Sequence, residues 1–456
     1  MSSGALEGRI DVSYYKNDFI SLFNNLNTAK YTVVKFRTLF KSITNGFDFR
    51  EYKEEGTPYI KVANVRQGEF NFEKIQYIDF SSETLSKKIQ LKKSNLLLTR
   101  KGTFGNALSL EADYDYVISS EVFYIELDNQ SINSKYLEIF FNSAIGQSQF
   151  KKVAIGAIMG SLSQEVIKSL KIPLPDLYTQ AQIVATFNLA YQVKQAKEQQ
   201  AKELLAGIDG YLLDKLGIKS PLTFEGGTKT FFVNASQVLG GRLDPFYHSK
   251  FFQDATNSVK ASKYEFVPLK KVIQKLKSGS TPHQSLEPYD DENGIIFLRN
   301  TDLKPYELEL DEVKYVKPEF KHLLTFSEKN ELIICIAGTV GTSAVNNFEK
   351  KISINQNITT LKLQEDLINP YFLSAYLNTK LGIEFTKRVC SLATIYYLNN
   401  ENLKGLQIPL PPLAIQNEIA EHISAVRRQA KDLEAQASAG IAQAKAEVER
   451  LILGEI

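Results

Sequence analysis

The 456-residue sequence contains no tryptophan, only two cysteines and only four histidines. Cys335 and Cys390 are too few for a disulfide framework, which favours a reducing compartment. The cysteines and histidines show none of the spacings typical of a zinc site. No apolar run approaches the roughly 20 residues that a membrane-spanning helix needs, and the N-terminus lacks the apolar segment of a signal peptide. Together these absences predict a cytoplasmic protein without a metal site.

Net charge is also scarce, since 54 basic residues face 52 acidic ones. A strongly basic composition, the usual sign of nucleic-acid binding, is therefore missing. Residues 87–101, KKIQLKKSNLLLTRK, nevertheless hold six basic residues and no acidic one. Any electrostatic attraction for a partner must come from the placement of charges rather than from their sum.

The chain contains an internal repeat. Gly102 and Gly338 lie in the similar stretches LLLTRKGTFG and LIICIAGTVG. The stretches KIPLPDLYTQAQI and QIPLPPLAIQNEI, which begin at Lys171 and Gln407, have the same separation as those two glycines. An earlier pair, GRIDVSYYKNDF from Gly8 and GRLDPFYHSKFF, is slightly closer together, so small insertions separate the shared elements. A unit of about 230 residues has been duplicated.

Each repeat has a β-rich front part and a helical back part. Short alternating apolar runs with intervening Gly, Asn and Asp predict strands, whereas apolar residues at steps of four and three after I-P-L-P predict a coiled-coil helix. A long helix with one apolar seam needs a partner, so we expect the two helices to pair antiparallel; the alternative is that each packs on its own domain. The predicted seam is Ile183, Phe187, Leu205, Ile208, Leu212, Ile419, Ile423, Val426, Leu433, Ile441 and Val448.

This architecture resembles the specificity subunits of Type I restriction-modification enzymes. The resemblance lies in the two copies of I-P-L-P-x-L-x-x-Q, which end at Gln180 and Gln416, and in the two G-T-x-G loops. It covers nearly the whole chain and implies an α+β fold with two β-rich target recognition domains, two long antiparallel coiled-coil helices and internal pseudo-twofold symmetry. The expected segments are an N-terminal segment (1–30), target recognition domain 1 (31–175), a central spacer helix (176–217), a linker that begins the second repeat (218–263), target recognition domain 2 (264–411) and a C-terminal spacer helix (412–456).

The resemblance also implies a function. Each recognition domain would bind one half of a split, asymmetric site in double-stranded DNA, and the paired helices would fix the gap. The chain itself would be no enzyme and would hold no cofactor. Two modification subunits would bind S-adenosylmethionine and methylate adenine, and restriction subunits that use ATP and magnesium can join them.

The G-T-x-G loops follow apolar strands in both copies. Their glycines allow close approach to a phosphate, but a tight turn would also need glycine. Basic residues flank the first loop and suit phosphate contact, whereas the second copy has Ile336 and Ala337 there. The candidates for DNA contact in and beside these loops are Thr99, Arg100, Lys101, Thr103 and Thr339.

Polar residues at strand ends form a second set of candidates. Asparagine can bond adenine and arginine can bond guanine through two hydrogen bonds each. Strand-end caps and ordinary polar turns are the alternative interpretations. The residues of this set are Asn64, Arg66, Arg299, Asn300, Ser119, Ser120, Asn355, Gln356 and Asn357.

Three further motifs favour structural roles. Arg9 with Asp11, and Arg242 with Asp244, suggest a salt bridge or a partner contact. The prolines of I-P-L-P, by blocking regular hydrogen bonding, predict a rigid join between domain and helix. Asn369, in N-P-Y-F, lacks the second proline of the adenine methyltransferase motif and is predicted to cap a helix.

Three other functions compete with this interpretation. A single-chain DNA methyltransferase or nuclease would need a cofactor loop and a catalytic motif, and we find neither. A coiled-coil scaffold with no nucleic-acid role is compatible with the near-neutral charge, but it would lack the salt-dependent DNA binding that counterion release predicts. The same architecture would also serve as the specificity subunit of a related DNA-modification defence complex.

Overall fold

The computed structural model describes residues 26, 28–79, 89–154, 161–219, 232–235, 244–290, 293–390 and 396–455. The predicted roles of Arg9, Asp11 and Arg242 fall outside these residues. The chain divides into two compact units. Unit 1 comprises Met1–Glu198 and Glu434–Ile456, and unit 2 comprises Gln199–Leu433. We call residues 31–175 head 1 and residues 264–411 head 2; each lies within one unit.

The described part of head 1 contains short strands and three α-helices, and the first long helix follows it. The elements are β1 (Val33–Lys35), β2 (Phe40–Asn45), β3 (Thr57–Ile60), β4 (Gln76–Ile78), β5 (Leu96–Thr99), β6 (Ala107–Ser109), β7 (Val117–Ile118), β8 (Val122–Leu127), α1 (Ser134–Asn142), α2 (Ala144–Ala154), α3 (Gln164–Lys168), β9 (Lys171–Pro173) and α4 (Leu177–Leu216).

The sheets of head 1 pack through both faces of strand β5. An antiparallel sheet has the order β2-β8-β5-β6, and a second sheet has the order β4-β3-β7 with β3 parallel to β7. Leu96 and Leu98 belong to the core that includes helices α1 and α2, whereas Leu97 belongs to the core with Ile60 and Ile118. Because successive side chains alternate between faces, a strand buried on both sides reads as a continuous apolar run.

A short helix precedes head 2, and the second long helix follows it. The elements are α5 (Lys250–Lys260), β10 (Phe266–Pro268), β11 (Ile273–Ser278), β12 (Tyr289–Asp290), β13 (Ile295–Leu298), β14 (Leu303–Lys304), β15 (Glu307–Leu308), β16 (Lys314–Val316), β17 (Thr325–Ser327), β18 (Leu332–Cys335), β19 (Ser343–Val345), β20 (Ile352–Ile354), β21 (Ile358–Leu363), α6 (Pro370–Asn378), α7 (Lys380–Val389), α8 (Asn400–Gly405), β22 (Gln407–Pro409) and α9 (Leu413–Leu453).

Head 2 repeats the topology of head 1. Its antiparallel sheet has the order β11-β21-β18-β19, which matches β2-β8-β5-β6. Its second sheet contains β16-β13-β20 with β13 parallel to β20, and β12 and β17 extend it at the edges. Asn369 caps α6 by accepting hydrogen bonds from the amides of Tyr371 and Phe372, as Asn133 caps α1. The duplication and the helix-capping role of Asn369 are both confirmed.

The long helices pair antiparallel in each unit. In unit 2, Tyr211 of α4 stacks on His422 of α9 with ring centroids 3.8 Å apart. Lys215, one turn further along α4, pairs with Glu418, which precedes His422 by one turn in α9. In unit 1, the first part of α4 meets the last part of α9, where Lys197 Nζ donates to Gln436 Oε1 at 2.8 Å. The predicted antiparallel pairing is therefore confirmed.

Each unit receives part of a long helix from the other repeat. In unit 1, Ala144 at the start of α2 donates its amide hydrogen to the carboxylate of Glu449 in α9. In unit 2, Lys380 at the start of α7 donates its amide hydrogen to Asp209 of α4 at 2.8 Å. Carboxylates stabilise helix N-termini, while burial raises the pKa of both Glu449 and Asp209. The two repeats thus cap one another's helices in equivalent ways.

Most residues of the predicted seam are buried or half-buried, and one is exposed. Ile183, Ile208, Leu212, Ile419, Ile423 and Val448 are buried, while Phe187, Val426, Leu433 and Ile441 are half-buried. Leu205 is predicted to lie in the seam but is 40% exposed. One turn on either side of it, Ala201 and Ile208 are buried, so the seam passes beside Leu205. A pattern of steps identifies a face of the helix, but it does not fix how far the partner covers that face.

The I-P-L-P motif pairs as a strand, which corrects the expectation that its prolines block sheet bonding. Strand β9 pairs antiparallel with β1, where Pro173 lies opposite Val33, and β22 pairs with β10, where Pro409 lies opposite Phe266. Each ribbon has only two strands, so a proline at the end of one can turn its nitrogen away from the partner. The second proline of each motif follows the strand and precedes the long helix.

The glutamine that ends the motif joins the long helix to its head. Gln180 Oε1 accepts the amide hydrogen of Asn133 at 2.8 Å, and its Nε2 donates to the carbonyl oxygens of Ser131 and Pro175. Gln416 makes the same three bonds in unit 2, to Asn369, Leu367 and Pro411. Neither glutamine side chain is exposed to solvent.

Both cysteines are buried, and neither forms a disulfide. Within the described ranges, we find no helix whose length and apolar character would let it cross a membrane, and no group of three or more histidine, cysteine or acidic side chains arranged to hold a metal ion.

Candidate nucleic-acid interface

The glycines of both G-T-x-G loops adopt left-handed backbone conformations. Their φ angles are +68° at Gly102, +86° at Gly105, +84° at Gly338 and +89° at Gly341. A Cβ on Gly105 would lie 2.7 Å from Cδ2 of the buried Phe150, whereas a Cβ on Gly102 would have no neighbour within 4 Å. The tight-turn interpretation of these glycines therefore has a direct structural basis.

We expect Gly105→Ala to destabilise unit 1 by about 2–4 kcal/mol, from the left-handed backbone and the clash with Phe150. Gly102→Ala should cost only about 1–2 kcal/mol, because it has the backbone penalty alone. Urea unfolding followed by far-ultraviolet circular dichroism measures both. Equal losses for the two variants would contradict the assigned contact with Phe150.

The residues beside the first loop are mostly engaged in holding it. Thr99 is fully buried, and its Oγ1 accepts the amide hydrogen of Asn106 at 2.8 Å. Arg100 donates to the carbonyl oxygens of Leu162 and Ser120, at 3.2 and 3.4 Å. These contacts assign Thr99 and Arg100 to the packing of the loop rather than to DNA contact.

Lys101 and the threonines of the two loops are exposed. Lys101 Nζ lies 3.7 Å from the carboxylate of Glu121, a surface pair that water screens strongly. Thr103 is exposed at the tip of the first loop, and Thr339 is exposed at the tip of the second, where its Oγ1 contacts the sulfur of Cys335. These three side chains remain accessible to a partner.

Head 1 has a polar cleft of about 700 Å³ in which three of the predicted residues meet. The predicted residues are Asn64, Arg66 and Thr103. The sequence reasoning missed the other charged or amide side chains of this cleft. They are Lys61, Asn71, Glu73, Lys74, Gln76 and Asn106.

Within this cleft Asn64 has a structural role. It is only 4% exposed; its Oδ1 accepts the amide hydrogen of Lys61 at 3.0 Å, and its Nδ2 donates to the carbonyl oxygen of Asn71 at 2.8 Å. Both ends of the amide are thus used to close the turn, which corrects the prediction that Asn64 is available to read a base. Arg66 is exposed, and only its backbone amide is engaged, with Glu69.

Head 2 contains the same turn with different chemistry. The backbone amide of Arg299 donates to Asp302 Oδ2 at 2.9 Å, as the amide of Lys61 donates to Asn64. The guanidinium of Arg299 also binds both oxygens of Asp302, at 2.9 and 2.6 Å. This hydrogen-bonded pair raises the pKa of Arg299. A guanidinium committed to a carboxylate is not free to bind guanine, so this prediction also needs correction.

These bonds define which residues of the two heads are equivalent. Val65 bridges Phe70 in head 1, and Leu303 pairs with Leu308 in head 2. The separation from Val65 to Leu303 equals that from Phe70 to Leu308. In the same register Lys61 corresponds to Arg299, Asn64 to Asp302, and Arg66 to Lys304. The sequence signal for Lys61 and Arg299 is their position directly after a strand, because Ile60 and Leu298 are the last residues of parallel-paired strands.

Asn300 and the polar clusters after β7 and β20 complete the predicted set. Asn300 lies against the second G-T-x-G loop, with its Nδ2 3.3 Å from where a Cβ of Gly338 would stand. Ser119 is buried without a hydrogen-bond partner for Oγ, and Ser120 donates to Asp48. In head 2, Asn355 Oδ1 accepts the amide hydrogen of Asn357 at 3.2 Å, while Gln356 between them is exposed. The cluster of head 2 is thus an ordinary polar turn with one exposed amide side chain.

Each turn also contacts the long helix of its own repeat. In unit 1, Tyr191 donates to Glu69 Oε2 at 3.0 Å, and burial raises the pKa of Tyr191 to about 12. In unit 2, Glu307 receives hydrogen bonds from Lys431 at 2.8 Å and Arg427 at 3.2 Å, which lower its pKa. The turn is therefore braced on the helix in both units, through a hydrogen bond from a neutral hydroxyl in one and an ion pair in the other.

Comparison with known proteins identifies the family. Two copies of the Type I restriction modification DNA specificity domain match the chain, over residues 28–205 and 261–443. The matches cover most of the sequence, one in each repeat. The chain belongs to this family, and the predicted assignment as a specificity subunit, whose domains recognise DNA sequence, is confirmed.

Individual relatives agree with this assignment. The chain is 21% identical over 87% of its length to a protein of Methanocaldococcus jannaschii provisionally named type I restriction enzyme MjaX specificity subunit, of which the match covers 86%. It is 30% identical over 102 residues to a similarly named protein of Haemophilus influenzae, but this match spans only 25% of that relative. A chain in a solved structure concerning assembly of the type I R-M system shares the fold, with a TM-score of 0.57 at 16% identity over 93% of this chain and 98% of that one. The predicted fold class is confirmed.

Proposed function

We propose that this chain is the non-catalytic DNA-recognition subunit of a Type I restriction-modification complex and that each head binds one half of a bipartite, asymmetric site. The observation that carries the proposal is the duplication itself: two domains of one DNA specificity family share a topology but differ in their polar residues at equivalent positions. Asn64 stands where head 2 has Asp302, and Arg66 stands where it has Lys304. Because base readout depends on such donors and acceptors, the two heads should read different sequences.

The partners in this proposal are two modification subunits and, in the complete complex, restriction subunits. Adenine methylation with S-adenosylmethionine, and cleavage with ATP and magnesium, are assigned to those partners. The gap between the half-sites is assigned to the paired long helices. We place this activity in the cytoplasm, where it would meet both resident and incoming DNA. The similarity to named specificity subunits supports these assignments.

Methylation mapping of the host genome, with and without this gene, tests the proposal. We expect deletion to abolish methylation at one split motif with two unlike halves and to leave other motifs unchanged. Restoring the wild-type gene should restore that motif. A deletion that leaves every methylated motif intact, or one that removes only a palindromic motif, would contradict the proposal.

The non-catalytic assignment has its own assay. Purified chain incubated with labelled S-adenosylmethionine and DNA carrying the mapped motif should transfer no methyl group, whereas adding the modification subunit should start transfer. Methylation by the chain alone would show that it is itself an enzyme.

A further inference from the structure

The turns that follow strands β3 and β13 have opposite net charges. We call residues 61–74 the head 1 turn and residues 299–312 the head 2 turn; they are equal in length and begin at the equivalent Lys61 and Arg299. The head 1 turn, KVANVRQGEFNFEK, has three basic and two acidic residues, a net charge of +1. The head 2 turn, RNTDLKPYELELDE, has two basic and five acidic residues, a net charge of −3. Equivalent surfaces of the two heads therefore differ by four charge units.

The cations of the head 1 turn have no acidic partners within the part of the chain that the structure describes. Lys61 Nζ donates to Gln76 Oε1 at 2.9 Å and to the hydroxyl of Tyr52 at 3.2 Å, both neutral groups. No carboxylate of the described residues pairs with Lys61, Arg66 or Lys74. All three line the 700 Å³ cleft, together with the exposed Thr103. Glu73 and Glu121 also line the cleft, but neither pairs with these three cations, which are thus available to an anionic ligand.

Both cations of the head 2 turn have acidic partners within the turn, whereas those of the head 1 turn have none. Arg299 is held by both oxygens of Asp302, and Lys304 Nζ lies 3.3 Å from Glu309. Asn64 and Asn71 of head 1 are the residues that correspond to Asp302 and Glu309. The exchange of two amides for two carboxylates therefore removes free positive charge from the turn while keeping its backbone hydrogen bonds.

We propose that the head 1 turn contacts the phosphates of its DNA half-site through Arg66 and Lys74 and that the head 2 turn makes no phosphate contact. This inference rests on the proposed function and names the ligand group at one of its two heads. Phosphate contacts release condensed counterions and give affinity that falls steeply with salt. A net charge of −3 repels the same backbone. Head 1 thus binds its half-site largely through the DNA phosphates, whereas head 2 binds its half-site through residues outside this turn.

Salt titration of DNA binding by the full chain tests this asymmetry. The probe is a fluorescent 30-base-pair duplex of mixed sequence, since phosphate contacts do not depend on sequence. The dissociation constant is measured by anisotropy between 50 and 200 mM KCl for the wild type, Arg66→Gln, Arg66→Gln with Lys74→Gln, and Lys304→Gln. Lys304→Gln is the matched control, because it removes the equivalent charge from the other head. All the substituted side chains are at the surface, and circular dichroism verifies that each variant is folded.

We expect the slope of log affinity against log salt to become shallower by about 0.9 in Arg66→Gln and by about 2 in the double variant, with no resolved change in Lys304→Gln. Equal changes in Arg66→Gln and Lys304→Gln, or an unchanged slope in the double variant, would overturn the inference while leaving the proposed function intact. If the wild type shows no salt-dependent DNA binding, that result would instead count against the proposed function, and the inference would fall with it.

Discussion

Replacing Gln416 with leucine should lower the free energy of unfolding of unit 2 by about 3 kcal/mol, because it leaves three backbone groups without partners. These groups are the amide of Asn369 and the carbonyls of Leu367 and Pro411, all bonded to the Gln416 side chain at 2.7–3.0 Å. The side chain has no exposed surface, so water cannot replace the bonds without opening the junction. Leucine has nearly the same size, which confines the loss mainly to hydrogen bonding.

Unit 1 provides an internal repetition of this experiment. Gln180→Leu should cost about as much as Gln416→Leu, since it breaks the equivalent bonds to Asn133, Ser131 and Pro175. Gln182→Leu is the control, because Gln182 lies two residues further along α4 and is exposed. Urea unfolding followed by circular dichroism gives the stability, and hydrogen exchange at the amides of Asn133 and Asn369 locates the loss. If Gln180→Leu and Gln182→Leu unfold at the same urea concentration, the motif glutamine is not the joint between helix and head.

The repeat and the long helices can be predicted from the sequence because they leave long-range patterns. Two distant stretches share I-P-L-P and the glutamine after it, and the steps of four and three that follow are specific to paired helices. The sequence shows the I-P-L-P motif and its glutamine but does not show what the glutamine binds. Nothing in the sequence shows that Gln180 and Gln416 turn inward to bond three backbone groups, because that depends on the approach of a helix from elsewhere in the head.

Site residues are harder to predict because their availability depends on local partners. Arg299 is a candidate for its ability to bind guanine, yet Asp302, three residues later, binds its guanidinium in the same two-pronged way. Arg100 is a candidate because of its charge, but its guanidinium donates hydrogen bonds to two backbone carbonyl oxygens. Residue type indicates what a side chain can bind, whereas the fold decides whether something already binds it.

The register of the repeat explains why sequence reasoning misses Lys61. The separation between equivalent residues differs from one part of the repeat to another, and it is wider in the turn after β3 and β13 than at the G-T-x-G loops. Even a small difference shifts every comparison in a short turn, so the sequence alone does not align Asn64 with Asp302. Only the strand pairing and the shared backbone bonds establish that these residues are equivalent, and the charge difference between the heads emerges from that correspondence.

The coiled-coil seam allows the sequence pattern and the structure to be tested against each other. The pattern places both Leu205 and Ile419 in the apolar seam, and both residues lie in unit 2. In the structure Ile419 is fully buried in the core with Leu212, whereas Leu205 is 40% exposed. We expect Ile419→Ala to lower the free energy of unfolding by about 2–5 kcal/mol, through lost burial and the cavity left behind.

Leu205→Ala should cost less than about 1 kcal/mol, because alanine is the better helix former and little buried surface is lost. Urea unfolding of both variants, followed by circular dichroism, measures the difference directly. Similar losses would mean that Leu205 is covered and that the heptad pattern describes the contact better than the structure does. A large loss for Ile419→Ala alone would show that α9 and the end of α4 stabilise one another where Tyr211 meets His422. It would also show that the pattern of four-three steps overstates how much of each helix the other covers.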